Sequence, residues 1–208
     1  MHELFTALLR QPTAKRYQRL RTQLLADRSL GEFSLRLTQL QNHLDAAHLN
    51  AVDLNGAESR GEQLGEANAL LGYLMPVGLV SLQLHRLGGM LALEQQQAER
   101  AELHRFSYDA VTKAILATGN GTRRRPLLVT YSSDSVELLS AQGFTVQSQS
   151  LVEDNGRRFD VLLCADEREF WFDVTDLLPQ TAVVAQRTRR PRRGAGVKPQ
   201  RQAVVSRS

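Results

Sequence analysis

The sequence predicts an α+β protein: a helical N-terminal region, a small antiparallel sheet with one short helix, and a disordered basic tail. Three observations carry this reading. Apolar residues recur at helical spacing from Leu4 to Leu116, and beyond Pro126 they alternate at the spacing of strands. From Arg187 to Arg193 the chain is basic and carries no apolar residue. The expected boundaries are 1–118 for the helical region, 119–180 for the α+β module and 181–208 for the tail.

Leu4, Phe5, Leu8 and Leu9 share a helical face, and Tyr17, Leu20, Leu24 and Leu25 repeat the pattern after Pro12. Ser29-Leu30-Gly31 reads as a turn, Phe33 to Leu49 as a helix, and Asp53 to Gly61 as a polar connection. Gly65 to Met75 is expected to be helical up to Pro76, which suits the first turn of a following helix. That helix is expected to stop at Gly88-Gly89, with Met90 to Leu103 as its partner. Ser107 to Thr118 is the last long helix, with Gly119 as its stop. Leu127 to Tyr131 is then a strand. Ser133-Asp134 caps a short helix, with Glu137 three residues after Asp134, and Gly143 ends it. Phe144 to Val152, Arg158 to Cys164 and Glu169 to Val174 are strands, the first two joined through Asn155-Gly156, a pair that favours a tight hairpin turn. Phe159, Val161 and Leu163 share one face, as do Phe170, Phe172 and Val174. Asp160 and Asp173 are expected to face solvent opposite them. Trp171 is expected to meet the helical half.

Pro76, Gly88-Gly89 and the Ala-rich stretch that follows resemble one tetratricopeptide-like helical hairpin, with an ordinary helix pair as the open alternative; no second copy stands at the required period. A broader resemblance lies in Ala114-Ile115-Leu116, Gly119-Asn120-Gly121-Thr122, Val129-Thr130, Glu137-Leu138-Leu139, Gly143, Gln149-Ser150-Leu151-Val152, Phe159-Asp160-Val161-Leu162 and Phe172-Asp173-Val174. In that order they resemble a bacterial domain family of unknown function. Its members join a tetratricopeptide-like helical half to a small C-terminal α+β module. This chain has Asn120 where that family favours aspartate. The resemblance implies a fold and supplies no chemistry.

Charge is divided along the chain. Of 26 basic residues in the 208-residue sequence, eight lie between Arg187 and Ser208, a stretch with no acid. The remaining 18 face 22 acidic residues, so the body carries −4 although the whole carries +4. The tail cannot bury a core and repels itself, so it is expected to be disordered. Arg187, Arg189, Arg190, Arg192 and Arg193 are the candidate contacts to phosphate or an acidic partner, binding without sequence preference and weakening with salt. A merely solubilising extension is the competing reading. Cys164 is the only cysteine, which excludes an intramolecular disulfide and a cysteine-based zinc site, and a buried thiol is expected there. The most apolar stretch, Leu70 to Leu82, is too short to span a bilayer, and no signal peptide is read at the N-terminus, so cytoplasmic residence is expected.

Gly119-Asn120-Gly121-Thr122 followed by Arg123-Arg124-Arg125 invites comparison with a phosphate loop. The order is reversed, however: the glycines follow a helix, whose C-terminus presents carbonyls that repel anions. His43 and His48 stand five apart, off one another's face, so no metal site is read there. His85 and His104 fall on neighbouring helices and could meet. The acids Asp160, Asp166, Glu167, Glu169 and Asp173 lack the lysine a metal-dependent nuclease would place beside its ion. No nucleophile elbow is present. Neither a catalytic residue, a metal ligand nor a cofactor is therefore assigned. The expected function is non-enzymatic binding of another protein, as an adaptor, chaperone-like or immunity-type factor, through grooves between helices. The alternative is a nucleic-acid-associated protein using the basic tail.

Overall fold

The structure is a computed structural model and describes residues 1–26, 32–50 and 57–177. The expected turn at Ser29-Leu30-Gly31, the start of the connection at Asp53 and the basic tail lie outside the described residues.

Six helices come first: α1 (His2–Arg10), α2 (Ala14–Ala26), α3 (Phe33–Asn50), α4 (Ala57–Leu74), α5 (Leu82–Glu94) and α6 (Ala98–Leu116). Their inward faces are the apolar stripes of the sequence: Phe5 and Leu8 on α1; Tyr17, Leu20 and Leu24 on α2; Phe33, Leu37, Leu40 and Leu44 on α3; Leu71 and Leu74 on α4. α4 begins two turns before the expected Gly65. The larger difference concerns Gly88 and Gly89, which lie inside α5 and do not end it. A Cβ at residue 88 would stand 2.3 Å from Cε1 of His104, so Gly88 is small to let α6 pack against the backbone of α5. The turn between these helices lies at Gln95–Gln97, with Gln96 in the left-handed region at φ 57°. Residues 90–94 of the helix expected over 90–103 accordingly end α5, and its remainder from Ala98 runs on without a break into the helix expected over 107–118 as α6.

The second part is a four-stranded sheet with one short helix: β1 (Leu127–Leu128), α7 (Ser133–Ala141), β2 (Val146–Asp154), β3 (Arg157–Cys164) and β4 (Glu169–Asp173). The α+β class is as expected. The sheet is mixed, in the order β1-β4-β3-β2, because β1 joins the far side of β4 in parallel. β2 and β3 form a hairpin whose turn residues Asn155 (φ 51°) and Gly156 (φ 73°) both take the left-handed conformation that a two-residue hairpin turn requires.

Side-chain alternation then decides what faces the helices. Phe172 pairs with Leu127 and Asp160, and Phe170 pairs with Leu162. Leu127, Leu162, Cys164, Phe172 and Val174 belong to the same core as the helices, so the predicted alignment of Phe170, Phe172 and Val174 holds. On β3, however, the core face carries Asp160, Leu162 and Cys164, and Phe159, Val161 and Leu163 share the opposite face with Trp171. The described residues belong to one compact unit.

Candidate functional site

Buried polar groups join the C-terminal α+β part to the N-terminal helices, and one of them is Asp134 of α7, with no exposed surface. It does not cap its own helix. Its Oδ1 accepts hydrogen bonds from Ser81 Oγ (3.2 Å), Leu82 N (3.0 Å) and Gln83 N (3.5 Å), while Ser81 Oγ accepts from Leu84 N (3.2 Å). The open amides at the start of α5 are thus satisfied jointly by its own N-cap serine and by a carboxyl from α7. Burial pushes the Asp134 carboxyl up to about 8, against the donations from Gln83, Ser81 and Leu82. Its other oxygen, Oδ2, has no hydrogen-bond partner among the described residues. Glu137, expected to complete a cap on α7, instead binds Arg86 of α5 (3.0 Å) and accepts from the Tyr108 hydroxyl of α6 (3.1 Å).

Helix α2 makes the matching connection. Arg21, buried on an otherwise apolar stripe, donates from Nε to Val129 O (2.9 Å) and pairs through its terminal nitrogen with Asp176 (2.8 Å). The Tyr17 hydroxyl shares a 3.0 Å hydrogen bond with Thr130 Oγ1. Asp160 was expected in solvent and is 5% exposed. Its Oδ2 accepts from Ser135 Oγ of α7 (3.0 Å) and Gln149 Nε2 of β2 (2.7 Å), and burial raises its carboxyl above the usual carboxylate range. These acids serve as structural acceptors, and the geometry gives neither of them an open face toward a substrate.

The opposite side of the sheet is different. Trp171 meets Phe159 edge-on at 5.6 Å, with Arg123 over Trp171 (5.6 Å) and Arg157 over Phe159 (4.9 Å). The tryptophan therefore lies away from the helices, contrary to expectation. Each arginine is also paired with an acid, Arg123 with Asp154 (2.7 Å) and Arg157 with Asp173 (2.6 Å), so this face carries rings and little free charge.

The edge beside it is formed by β2, which has no neighbour on its outer side among the described residues. Which of its backbone groups point outward follows from the hairpin. In a two-residue hairpin the residues flanking the turn, here Asp154 and Arg157, form a hydrogen-bonded pair, and pairs alternate from there. Glu153–Arg158, Leu151–Asp160 and Gln149–Leu162 are then the non-hydrogen-bonded pairs. The far side of β3 agrees: Arg158 N donates to Thr175 Oγ1 (3.0 Å) and Arg158 O accepts from Val174 N (2.9 Å), both away from β2. The N–H and C=O groups of Gln149, Leu151 and Glu153 consequently face outward. Leu151 is also 62% exposed, and the strand contains neither proline nor lysine.

The sequence-level candidates fare unequally. Arg187, Arg189, Arg190, Arg192 and Arg193 lie outside the described residues. His43 bonds to Gln63 (2.7 Å) and His48 approaches Glu94 (3.7 Å), so these two histidines serve different neighbours. His85 and His104 do meet, with their Nδ1 atoms 3.2 Å apart. The Gly119–Thr122 turn is filled by its own side chain, since Asn120 Oδ1 accepts from Thr122 N and Oγ1. Among the described residues no group of three or more His, Cys, Asp or Glu side chains is placed to hold a metal, and no helix is long and apolar enough to cross a membrane. Sequence reading missed the open edge because the signal is a topological one: only the strand order tells which strand is last. No family model, curated protein or solved structure matches the chain.

Proposed function

We propose that the protein is a non-enzymatic binding module whose partner adds an extended segment to the edge of β2. We assign the contact to this strand and not to the grooves between helices. The observation that carries the reading is the outward-facing backbone of Gln149, Leu151 and Glu153 on a nine-residue terminal strand. Unpaired strand edges are templates for pairing, and proteins usually blunt them with proline, lysine or short length. β1, at the other end of the sheet, is only two residues long. β2 is long, and past a register shift between Val146 and Ser148 it runs in regular register from Ser148 to Asp154, with the geometry that β-strand addition uses. The helical half, whose consecutive helices pack pairwise as α3–α4 and α5–α6, then acts as the support that holds the sheet. Localisation in the cytoplasm belongs to the same reading.

A second reading is association with nucleic acid through the tail arginines. It is favoured by Arg123, Arg124 and Arg125, three consecutive exposed cations, the first of which lies over the half-buried Trp171 ring. The two readings separate in one experiment. Material is captured from native-host lysate, with and without nuclease, on three baits: the wild-type chain, Leu151→Pro, and a full chain with Arg187, Arg189, Arg190, Arg192 and Arg193 changed to Gln. Proline at 151 deletes an outward N–H and leaves the β2–β3 ladder intact. A discrete protein retained by the arginine variant and by nuclease-treated wild type, yet lost on Leu151→Pro, supports edge binding. Retention by Leu151→Pro, or loss of everything with nuclease or with the tail arginines, overturns it.

A further inference from the structure

Away from the sheet, α1, α5 and α6 border an open surface pocket of about 200 Å³ lined by Phe5, Met75, His85, Arg100, Leu103, His104 and Ser107, with Arg100 and Leu103 at its exposed rim. Its polar lining is organised. Arg100, Leu103, His104 and Ser107 recur at the spacing of one face of α6. His104 is seated on Gly88, where the absence of a side chain leaves room for its ring. His85 is 1% exposed and stacks on Phe5 with ring planes 4° apart.

Hydrogen bonding fixes the proton positions of the two imidazoles. His85 Nε2 lies 2.9 Å from the carbonyl oxygen of Leu79, so Nε2 carries the hydrogen. In its neutral form His85 therefore offers a lone pair at Nδ1. His104 Nδ1, 3.2 Å away, must be the donor to it. The remaining ring nitrogen, His104 Nε2, is left with a lone pair, and neither it nor the Ser107 hydroxyl has a hydrogen-bond partner among the described residues. Arg100 gives one hydrogen bond to Gln97 Oε1 (2.5 Å) and keeps its other donors. No carboxylate lines the pocket. An open, mostly apolar pocket with an arginine at its rim, a hydroxyl and a protonatable nitrogen suits one negative charge on an apolar body.

We propose that this pocket binds a small monocarboxylate with an apolar body, held by Arg100, Ser107 and protonated His104, with His85 as the residue that positions His104. The proton comes from solvent and adds at His104 Nε2, turning its lone pair into an N–H donor without disturbing the bond to His85. The charged and titratable groups acting on His104 are His85 from α5 and Arg100 from α6; α1 presents Phe5 and the segment before α5 presents Met75. Burial, and then Arg100, lower His104 below the ordinary histidine value, and burial brings His85 down to about 4, so both are neutral in the empty site near neutral pH. A bound carboxylate opposes Arg100 and raises His104. Binding therefore takes up a proton and tightens as pH falls through the bound-state value, levelling off below the free-state one. Phosphate, with no apolar body, fits less well.

The test is calorimetric titration of the full chain with benzoate, hexanoate and inorganic phosphate, at about one pH unit below and about one and a half above the ordinary histidine value of 6.5. Buffers of different ionisation enthalpy report the proton uptake. We expect benzoate or hexanoate to bind at least about tenfold more tightly at the lower pH, a difference of about 1.4 kcal/mol, with proton uptake. Arg100 is exposed, so Arg100→Gln leaves the fold intact, and it is expected to lower affinity by about tenfold or more. His104→Gln is expected to remove the pH dependence. No binding of either carboxylate, binding that is independent of pH, binding indifferent to Arg100→Gln, or preference for phosphate would each overturn the proposal.

Discussion

The two ends of the sheet are finished in opposite ways. β1 is two residues long and parallel to its neighbour, and its Leu128 N–H is taken by the Thr118 hydroxyl at the end of α6 (2.9 Å). Beside it, Tyr17 and Arg21 tie α2 to Thr130 and Val129 just after β1, and Asp134 ties α7 to the start of α5. β2 is nine residues long, and the outward backbone of Gln149, Leu151 and Glu153 has no partner among the described residues. The difference separates two uses of polar groups. At the junction Tyr17, Arg21, Ser81 and the first amides of α5 find partners inside the protein, as burial demands. At the open edge the matching is left to water or to another chain. Substitutions at the junction should therefore cost stability, and substitutions on the edge should cost binding alone.

The largest effect is expected at Asp134. Asp134→Ala strands three donors at the start of α5 and should destabilise the fold by about 3 kcal/mol, read as a shift of the urea midpoint. Its pH behaviour sharpens the point. The folded carboxyl, raised to about 8, holds a proton that the unfolded carboxyl releases near about 3.9. Through this group stability is greatest below about pH 4 and falls as pH rises toward about 8, by at most about 1.4 kcal/mol per unit. Asp134→Asn keeps an acceptor for the α5 amides and loses the titration, so its stability curve should be flatter than that of wild type across the window. A wild-type curve no steeper than that of Asp134→Asn would mean that the junction does not bury this carboxyl.

How much of this could be read beforehand depends on whether a feature is local. The hairpin at Asn155-Gly156, the short helix after Ser133 and the buried Cys164 follow from neighbours in sequence, and all three are found. Gly88-Gly89 misled because a glycine pair inside a helix looks like its end, and the reason for Gly88 is His104 on another helix. Asp160 was assigned to solvent from alternation with Phe159 and Val161, yet the face that meets α7 is the one with the acid. Ser135 and Gln149 compensate it, from 25 and 11 residues away. The His85–His104 contact was legible as a possibility of adjacent helices, while their tautomers needed the Leu79 carbonyl.

Smaller effects complete the series. Asp160→Ala removes the shared acceptor of Ser135 and Gln149 and should cost about 1–2 kcal/mol in denaturant unfolding. Tyr17→Phe deletes only the hydroxyl bond to Thr130 and should cost about 1 kcal/mol by the same measurement. Leu151→Pro should change stability by no more than about 0.5 kcal/mol, because an edge strand tolerates proline where its N–H points outward. A loss of several kcal/mol at Leu151→Pro would show that the amide is used inside the fold.

The most direct measurement is residue-resolved amide hydrogen exchange on β2 of the full chain, without partner. Ser150 and Val152, bonded to β3, should exchange slowly, and Gln149, Leu151 and Glu153 quickly, an alternation that marks an open edge. If Gln149, Leu151 and Glu153 were as protected as Ser150 and Val152, the edge would already be paired, and the proposed site for a partner strand would not exist.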